Sequence, residues 1–222
     1  MDKLDALKRP AHAPRFDATF RETLHELLRW RRDVRRFTRA PLPHDSIERL
    51  IAIASLAPSV GLSEPWRFVL VEDEARRAAI RQCFEDCNRE ALQMQAPERA
   101  SLYARLKLAG LDDAPCHLAV FADHATAQGG GLGRLTMDQT LDYSVAIAVH
   151  TLWLAARAEG LGVGWVSILD PARVAAILDV PQDWRFIGYL CVGHPEAEDD
   201  TPALERAGWE QRRPSSDVVH YR

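Results

Sequence analysis

Residues 137–159 constrain this chain more than any other stretch. They read as one long helix in which Val145, Ile147, Ala148, Val149, Leu152, Trp153 and Leu154 leave almost no polar face. A helix that is apolar all round has to be buried on all sides, in a core or against another subunit. Its most apolar stretch, from Val145 to Ala156, is too short and too interrupted to cross a bilayer. Gly160 follows it as a left-handed cap. His150 sits on this apolar helix and is expected to be a satisfied core residue rather than a ligand. Whatever else the chain forms must wrap around this helix.

The wrapping elements can be placed in order. Asp17 caps a helix over residues 18–31, with Phe20, Leu24, Leu27 and Leu28 at helical spacing. A second helix starts at Asp45 or Ser46 and carries Ile47, Leu50 and Ile51. Charged helices follow over 74–93 and 97–108, and a short one over 171–178. Apolar runs at 64–71, 116–121, 161–167 and 186–193 read as strands. The glycine-rich run 128–133 lacks the strand-to-helix context of a phosphate cradle and reads as a mobile surface loop. Strands and helices do not alternate strictly, so the expected fold is an α+β sandwich, a central mixed sheet flanked by helices. One domain is expected over 1–222, with a polar arm at 1–15 and an extended tail from about 195.

Composition narrows the function by exclusion. A formal net charge of -4 argues against a general nucleic-acid binder. The four cysteines form no Cys-x-x-Cys pair, so neither a disulfide framework nor a metal site is expected. The first residues lack the apolar core of a signal peptide, which makes a cytoplasmic setting the expectation, with no membrane partner. Against that acidic background residues 29–37 put five arginines and Asp33 into nine positions. Arginine is the side chain best suited to phosphate, because its planar fork donates parallel hydrogen bonds. The bland alternative is a solvated basic helix end.

Four separated segments could share one site. They are Arg31-Arg-Asp-Val-Arg35, Ala57-Pro-Ser-Val-Gly61 with Pro65-Trp66, Gly160-Leu-Gly-Val-Gly-Trp-Val-Ser167, and Arg212-Arg213. Arginines would hold a phosphate, small-residue loops would approach a flat ring by backbone, and a tryptophan would give apolar support. In order and kind these segments resemble the flavin-dependent nitroreductase superfamily over residues 21–214. That superfamily surrounds FMN with an Arg-Arg-Ser-x-Arg motif, an Ala-Pro-Ser loop with Pro-Trp, a Gly-Leu-Gly-x-x-Trp motif and a late arginine. The resemblance implies an α+β fold, FMN at a homodimer interface, and an FMN set of Arg31, Arg32, Asp33, Val34, Arg35, Ser59, Leu108, Gly164, Trp165, Val166, Ser167 and Arg212.

Two departures narrow the resemblance. Asp33 stands where the motif has serine, and the tryptophan motif continues as Val166-Ser167. With residues 57–62, 105–108 and 131–134 these are similar to the 5,6-dimethylbenzimidazole synthase branch. That branch fragments reduced FMN with O2 to make the lower ligand of vitamin B12, so the flavin is a substrate, and a flavin reductase is the implied supplier. Glu64 stands where many relatives carry an amide. Chemistry agrees with the narrowing: breaking C–H bonds beside the ring needs a proton acceptor, which a carboxylate is and a serine is not. Asp33 and Ser167 are the expected catalytic residues; a structural ion pair is the alternative for Asp33, and a backbone-satisfied hydroxyl for Ser167. Residues 89–110 are implied as a lid. The competing activities are an NAD(P)H-dependent nitroreductase or flavin reductase, a reductive dehalogenase, and a flavin carrier without chemistry.

Overall fold

A computed structural model describes residues 12–107 and 110–222, so most of the expected N-terminal arm, and Leu108, lie outside the described residues. Four strands, β1 (Trp66–Leu70), β2 (Cys116–Asp123), β3 (Gly162–Val166) and β4 (Trp184–Gly193), form one sheet in the order β1-β2-β4-β3. All three strand pairings are antiparallel. The expected mixed character is therefore confined to one isolated parallel bridge, Asp33 with Val163. That bridge lies on β3, one of the two edge strands.

Helices cover both faces of the sheet. Helices α2 (Ser46–Ala54) and α5 (Thr140–Ala158) pack on one face, where Leu50, Leu118, Val120, Val145, Val149, Leu152 and Leu190 share a core. Helices α3 (Glu74–Gln93) and α6 (Pro171–Leu178) cover the other, where Ile80, Phe121, Val174 and Tyr189 are buried together. Alternation along β2 produces this division: successive residues from Cys116 to Ala122 are all buried, but on opposite sides. Asp73 and Asp170 accept backbone N–H bonds at the starts of α3 and α6, as N-caps do.

Helix α5 is central but not buried all round. Leu141, Val145, Ala148, Leu152 and Ala156 face the protein, while Tyr143 and Ile147 are 53% and 43% exposed and His150 is exposed too. His150 is thus a surface residue and not part of the core. Helix α1 (Ala18–Trp30) departs further from expectation, for none of its residues is buried. Its stripe of Phe20, Leu24 and Leu28 stands in the open, with Phe16 stacked on Phe20 at 4.6 Å. The sequence pattern is amphipathic as read; among the described residues nothing covers its apolar side.

The tail is more structured than its sequence suggested. After His194, Phe37 bridges Pro195, and the Glu196 N–H donates to the Arg36 carbonyl. A short helix, α7 (Ala203–Arg206), then ends at Gly208, whose φ is 73°. Gly208 N–H bonds the Glu205 carbonyl and Trp209 N–H bonds the Leu204 carbonyl, the double closure of a Schellman cap. The sequence Pro202-Ala-Leu-Glu-Arg-Ala-Gly208 carries that signal, with proline at the start and glycine past the end. Helix α4 (Pro97–Arg105) lies near this tail.

Candidate active site

Asp33 is fixed by the edge of the sheet. Val34 N–H donates to the Val163 carbonyl at 3.0 Å, which docks the arginine-rich segment alongside β3. The next β3 donor, Trp165 N–H, is met by the Asp33 carboxylate, Oδ1 at 3.0 Å, instead of by a main-chain carbonyl. Oδ2 accepts from Arg35 Nε at 2.9 Å. The carboxylate is thus pinned at both oxygens, yet its side chain stays 35% exposed. The ion-pair alternative raised for Asp33 is present, and it leaves lone pairs on each oxygen directed elsewhere.

Close approach of the two segments needs glycine. A Cβ on Gly164 would lie 2.2 Å from the Val34 carbonyl oxygen, and one on Gly162 would lie 2.7 Å from the Val34 side chain. These glycines, expected to let backbone approach a flat ring, instead admit Val34. Trp165 turns its indole to the α5 side across Gly188, 6.3 Å from Trp153. Trp153 in turn donates from Nε1 to the Arg32 carbonyl at 3.1 Å, tying α5 to the arginine segment.

The arginines divide by their partners. Arg31 stacks over Trp153 at 4.9 Å, and its buried Nε makes no hydrogen bond. Burial, and then the charge of Arg212, lowers the Arg31 pKa against the pull of Asp33. A desolvated guanidinium beside a second arginine, with an unused donor, calls for an anion. Arg32 is committed differently: Nε, at 3.0 Å, and Nη2 both donate to the Asp200 carbonyl. Burial, with Arg212 and Arg31, also lowers its pKa, against Asp200 and Asp199. Arg32 therefore clamps the tail, and Arg212 is close enough to be felt by both.

A cleft of about 570 Å³ runs from Arg32–Arg36 to the end of α4 and the tail helix. Six arginine and lysine side chains line it against three carboxylates, in a chain that is acidic overall. Arg105 and Lys107 come from the segment implied as a lid, and Arg206 from α7. Sequence reasoning missed Arg36, Lys107 and Arg206 as lining residues; only the fold brings the last to the first. Val166 is buried and Ser167 is exposed just past β3, without a side-chain hydrogen bond among the described residues. The alternative of a backbone-satisfied Ser167 is not what is found.

Ser59 does not reach this cleft. Its Oγ accepts from Glu64 N–H at 3.1 Å, within a loop where Gly61, Leu62 and Glu64 all have positive φ. Such backbone is strained for leucine and glutamate and collects at functional sites. The loop is docked on α5 by Val60 N–H to Ser144 Oγ at 3.0 Å. The glycine-rich run packs against it: Gln128 Nε2 donates to the Leu62 carbonyl at 2.9 Å and to Glu64 at 3.3 Å, and Gly129 lies against Gly61. That run supports the Ser59 loop rather than standing free of it. Leu62, Leu132 and Leu135 make an exposed apolar rim there, at 70%, 73% and 90%. Ser144 and Trp153, where the two halves touch α5, are about 13.5 Å apart along the helix axis. Among the described residues no cluster of histidine, cysteine, aspartate or glutamate is placed to hold a metal.

Comparison with known proteins agrees with this geometry. A model of the nitroreductase family matches residues 28–194. The 5,6-dimethylbenzimidazole synthase of Rhodospirillum rubrum is 58% identical over 201 residues, 90% of this chain and 95% of that one. The enzyme of the same name from Rhodobacter capsulatus is 50% identical, over 90% of this chain and 97% of its own. The crystal structure of oxidized iodotyrosine deiodinase bound to FMN and 3-iodo-L-tyrosine superposes with a TM-score of 0.67 at 26% identity, covering 79% of this chain and 91% of that one. With a family model over residues 28–194 and a relative 58% identical over 90% of its length, this chain belongs to the nitroreductase family.

Proposed function

We propose that this chain is an oxidoreductase that fragments reduced FMN with O2 to 5,6-dimethylbenzimidazole, for cobalamin biosynthesis. Two relatives of that name that align over nearly their whole length support the reading. The observation in the molecule that carries it is Asp33, a carboxylate held at the sheet edge where a serine would give only a hydrogen bond. The residues present fit a flavin phosphate: Arg31 has a buried, unused Nε beside Arg212.

Reduced FMN, when bound, supplies the electrons for O2 and the carbon skeleton of the product. The chain's own residues bind, orient and move protons. Arg31 and Arg212 hold the phosphate, and Arg35 reaches the polar chain next to it while orienting Asp33. Arg32 keeps the tail on the site through Asp200. Val34, Gly164, Trp165 and Val166 supply the fixed edge, with the Trp165 N–H directing one Asp33 oxygen. The other Asp33 lone pairs accept the proton from the carbon next to the ring. Ser167, exposed and without a side-chain partner among the described residues, offers a hydroxyl to the ring.

A homodimer completes the site in this reading. The Ser59 loop and the Asp33 segment sit on different parts of α5, and the apolar rim at Leu62 and Leu132, the α1 stripe and Tyr143 with Ile147 all lack cover. A second copy would cover them and bring its Ser59 loop to the first copy's Asp33. A separate cytoplasmic flavin reductase would supply the reduced flavin. The test is to add reduced FMN and air to the protein and follow the flavin spectrum. Lasting loss of the yellow absorbance with appearance of the benzimidazole is expected; full return of oxidised FMN would replace this reading with a flavin reductase.

A further inference from the structure

The C-terminal segment bridges the two walls of the cleft. On one side Glu198 takes both Arg157 nitrogens, at 2.6 and 3.1 Å, and Asp200 takes Arg32. Asp199 holds Arg206 at 2.9 Å, so α7 stands along the cleft. On the other side the Schellman cap turns Trp209 toward α4. Its ring meets Tyr103 edge-on at 6.1 Å and 60°, and Arg99 lies over it at 4.9 Å. Arg99 also approaches Glu210 at 3.9 Å.

Helix α4 has few other anchors. Tyr103 is its only buried residue, and the Tyr103 hydroxyl donates to Asn88 Oδ1 at 2.9 Å on α3. A nine-residue helix held by one buried ring depends on what packs against that ring. Arg105, the last residue of α4, and Lys107 just past it line the cleft opposite Arg32 and Asp33.

We propose that Trp209 is a positioning residue for the cleft: by clamping Tyr103 and Arg99 it holds α4 in place, and so fixes Arg105 and Lys107 over the flavin. The tail is then a working wall of the site, linked from Arg32 to Lys107 through Trp209, and not a cover. The part concerning flavin rests on the function proposed above; the part concerning α4 does not.

The experiment compares wild type, Trp209→Ala and Trp209→Phe by amide hydrogen exchange without flavin, and by titration with reduced FMN under nitrogen. An aromatic edge contact and a cation–π contact together imply about tenfold more opening when both are lost. Residues 97–105 should exchange about tenfold faster in Trp209→Ala, with 140–158 unchanged, and reduced FMN should bind severalfold more weakly. Trp209→Phe, which keeps a ring against Tyr103, should restore both. Equal exchange of 97–105 in all three proteins, or a rise spread evenly over 140–158, would overturn the proposal. Fast exchange in α4 with unchanged flavin affinity would overturn the flavin part alone. Failure of all three proteins to bind reduced FMN would instead count against the proposed function.

Discussion

The two halves of the candidate site differ in how far one chain finishes them. Around Asp33 the segment is closed onto the fold except at the Arg31 Nε: Trp165 N–H, Arg35, the Val34–Val163 rung and the Trp153–Arg32 bond tie it to β3 and α5. Around Ser59 the backbone is equally well held, by Glu64 N–H, Ser144 and Gln128, but its outer side chains face away from the protein. Three residues with positive φ sit there beside leucines that nothing covers. One half is a charged site made within the fold. The other is a preformed surface whose apolar side chains are uncovered among the described residues. In the homodimer proposed above, a site divided in this way ties chemistry to assembly.

The largest effect expected away from both halves comes from the core, and it sets the background for any pH study of the site. His117 is 2% exposed and shares a hydrogen bond of 3.0 Å with Tyr189. Burial, helped by the charges of Arg77 and Arg81, pushes its pKa down from 6.5 to about 4, against a backbone bond at Ala114 and the charge of Asp112. Between those values the unfolded chain binds the proton that the folded one refuses, so stability falls as pH drops. The loss reaches about 3 kcal/mol, or roughly a hundredfold in the folding equilibrium, by pH 4. Urea unfolding at pH 7, 5.5 and 4 should show it, and His117→Gln should flatten the slope. An equal slope in the variant would move the acid sensitivity to the carboxylates of the site.

Complementation tests the division itself. Asp33→Asn disables one half; Gly61→Val disables the other, because φ is 58° and the new Cβ would stand 2.9 Å from the Leu132 carbonyl oxygen. Each variant alone should retain roughly 1% of activity or less. Exchange of subunits gives mixed dimers with one intact site, so activity should return to roughly a quarter of wild type. No recovery in dimers shown to have mixed would place both halves of each site in one chain. Arg31→Ala probes the finished half more gently. Loss of a charge-assisted contact should weaken reduced FMN at least about tenfold, with α5 and the sheet unaffected. Titration showing unchanged affinity would leave Arg212 as the phosphate ligand.

Much of this was legible in the sequence because it rests on local signals. Helices α3 and α6 run over the spans read from the sequence, 74–93 and 171–178, each after an aspartate N-cap, and Pro97 opens α4. The Asp33 segment was legible as charge density, and Asp33 as one acid among arginines. What sequence left hidden depends on distant neighbours. Nothing near Val34 in the chain says that Gly164 must lack a Cβ to receive it. The tie of Arg32 to the tail was hidden, because the Asp200 carbonyl it meets is 168 positions away. Helix α5 read as apolar on every face, yet its Tyr143 and Ile147 face outward; periodicity shows which residues need cover and not which chain supplies it. The short helix α7 was overlooked although Gly208 marks its end.

The most direct test of the account is a single-turnover oxidation of bound reduced FMN by O2, in wild type and in Asp33→Asn, with the benzimidazole and intact FMN quantified separately. The asparagine keeps an oxygen for the Trp165 N–H but sets its NH2 against the Arg35 Nε–H, so that contact goes with the basic group, while the Val34–Val163 and Trp153–Arg32 bonds keep the segment docked. Wild type should convert bound flavin to 5,6-dimethylbenzimidazole. The variant should bind reduced FMN within a few fold of wild type, yet form product about 10²–10⁴ more slowly, the range for loss of a positioned general base. Product formation by Asp33→Asn at the wild-type rate would contradict the account, and would reduce Asp33 to the ion-pair partner of Arg35.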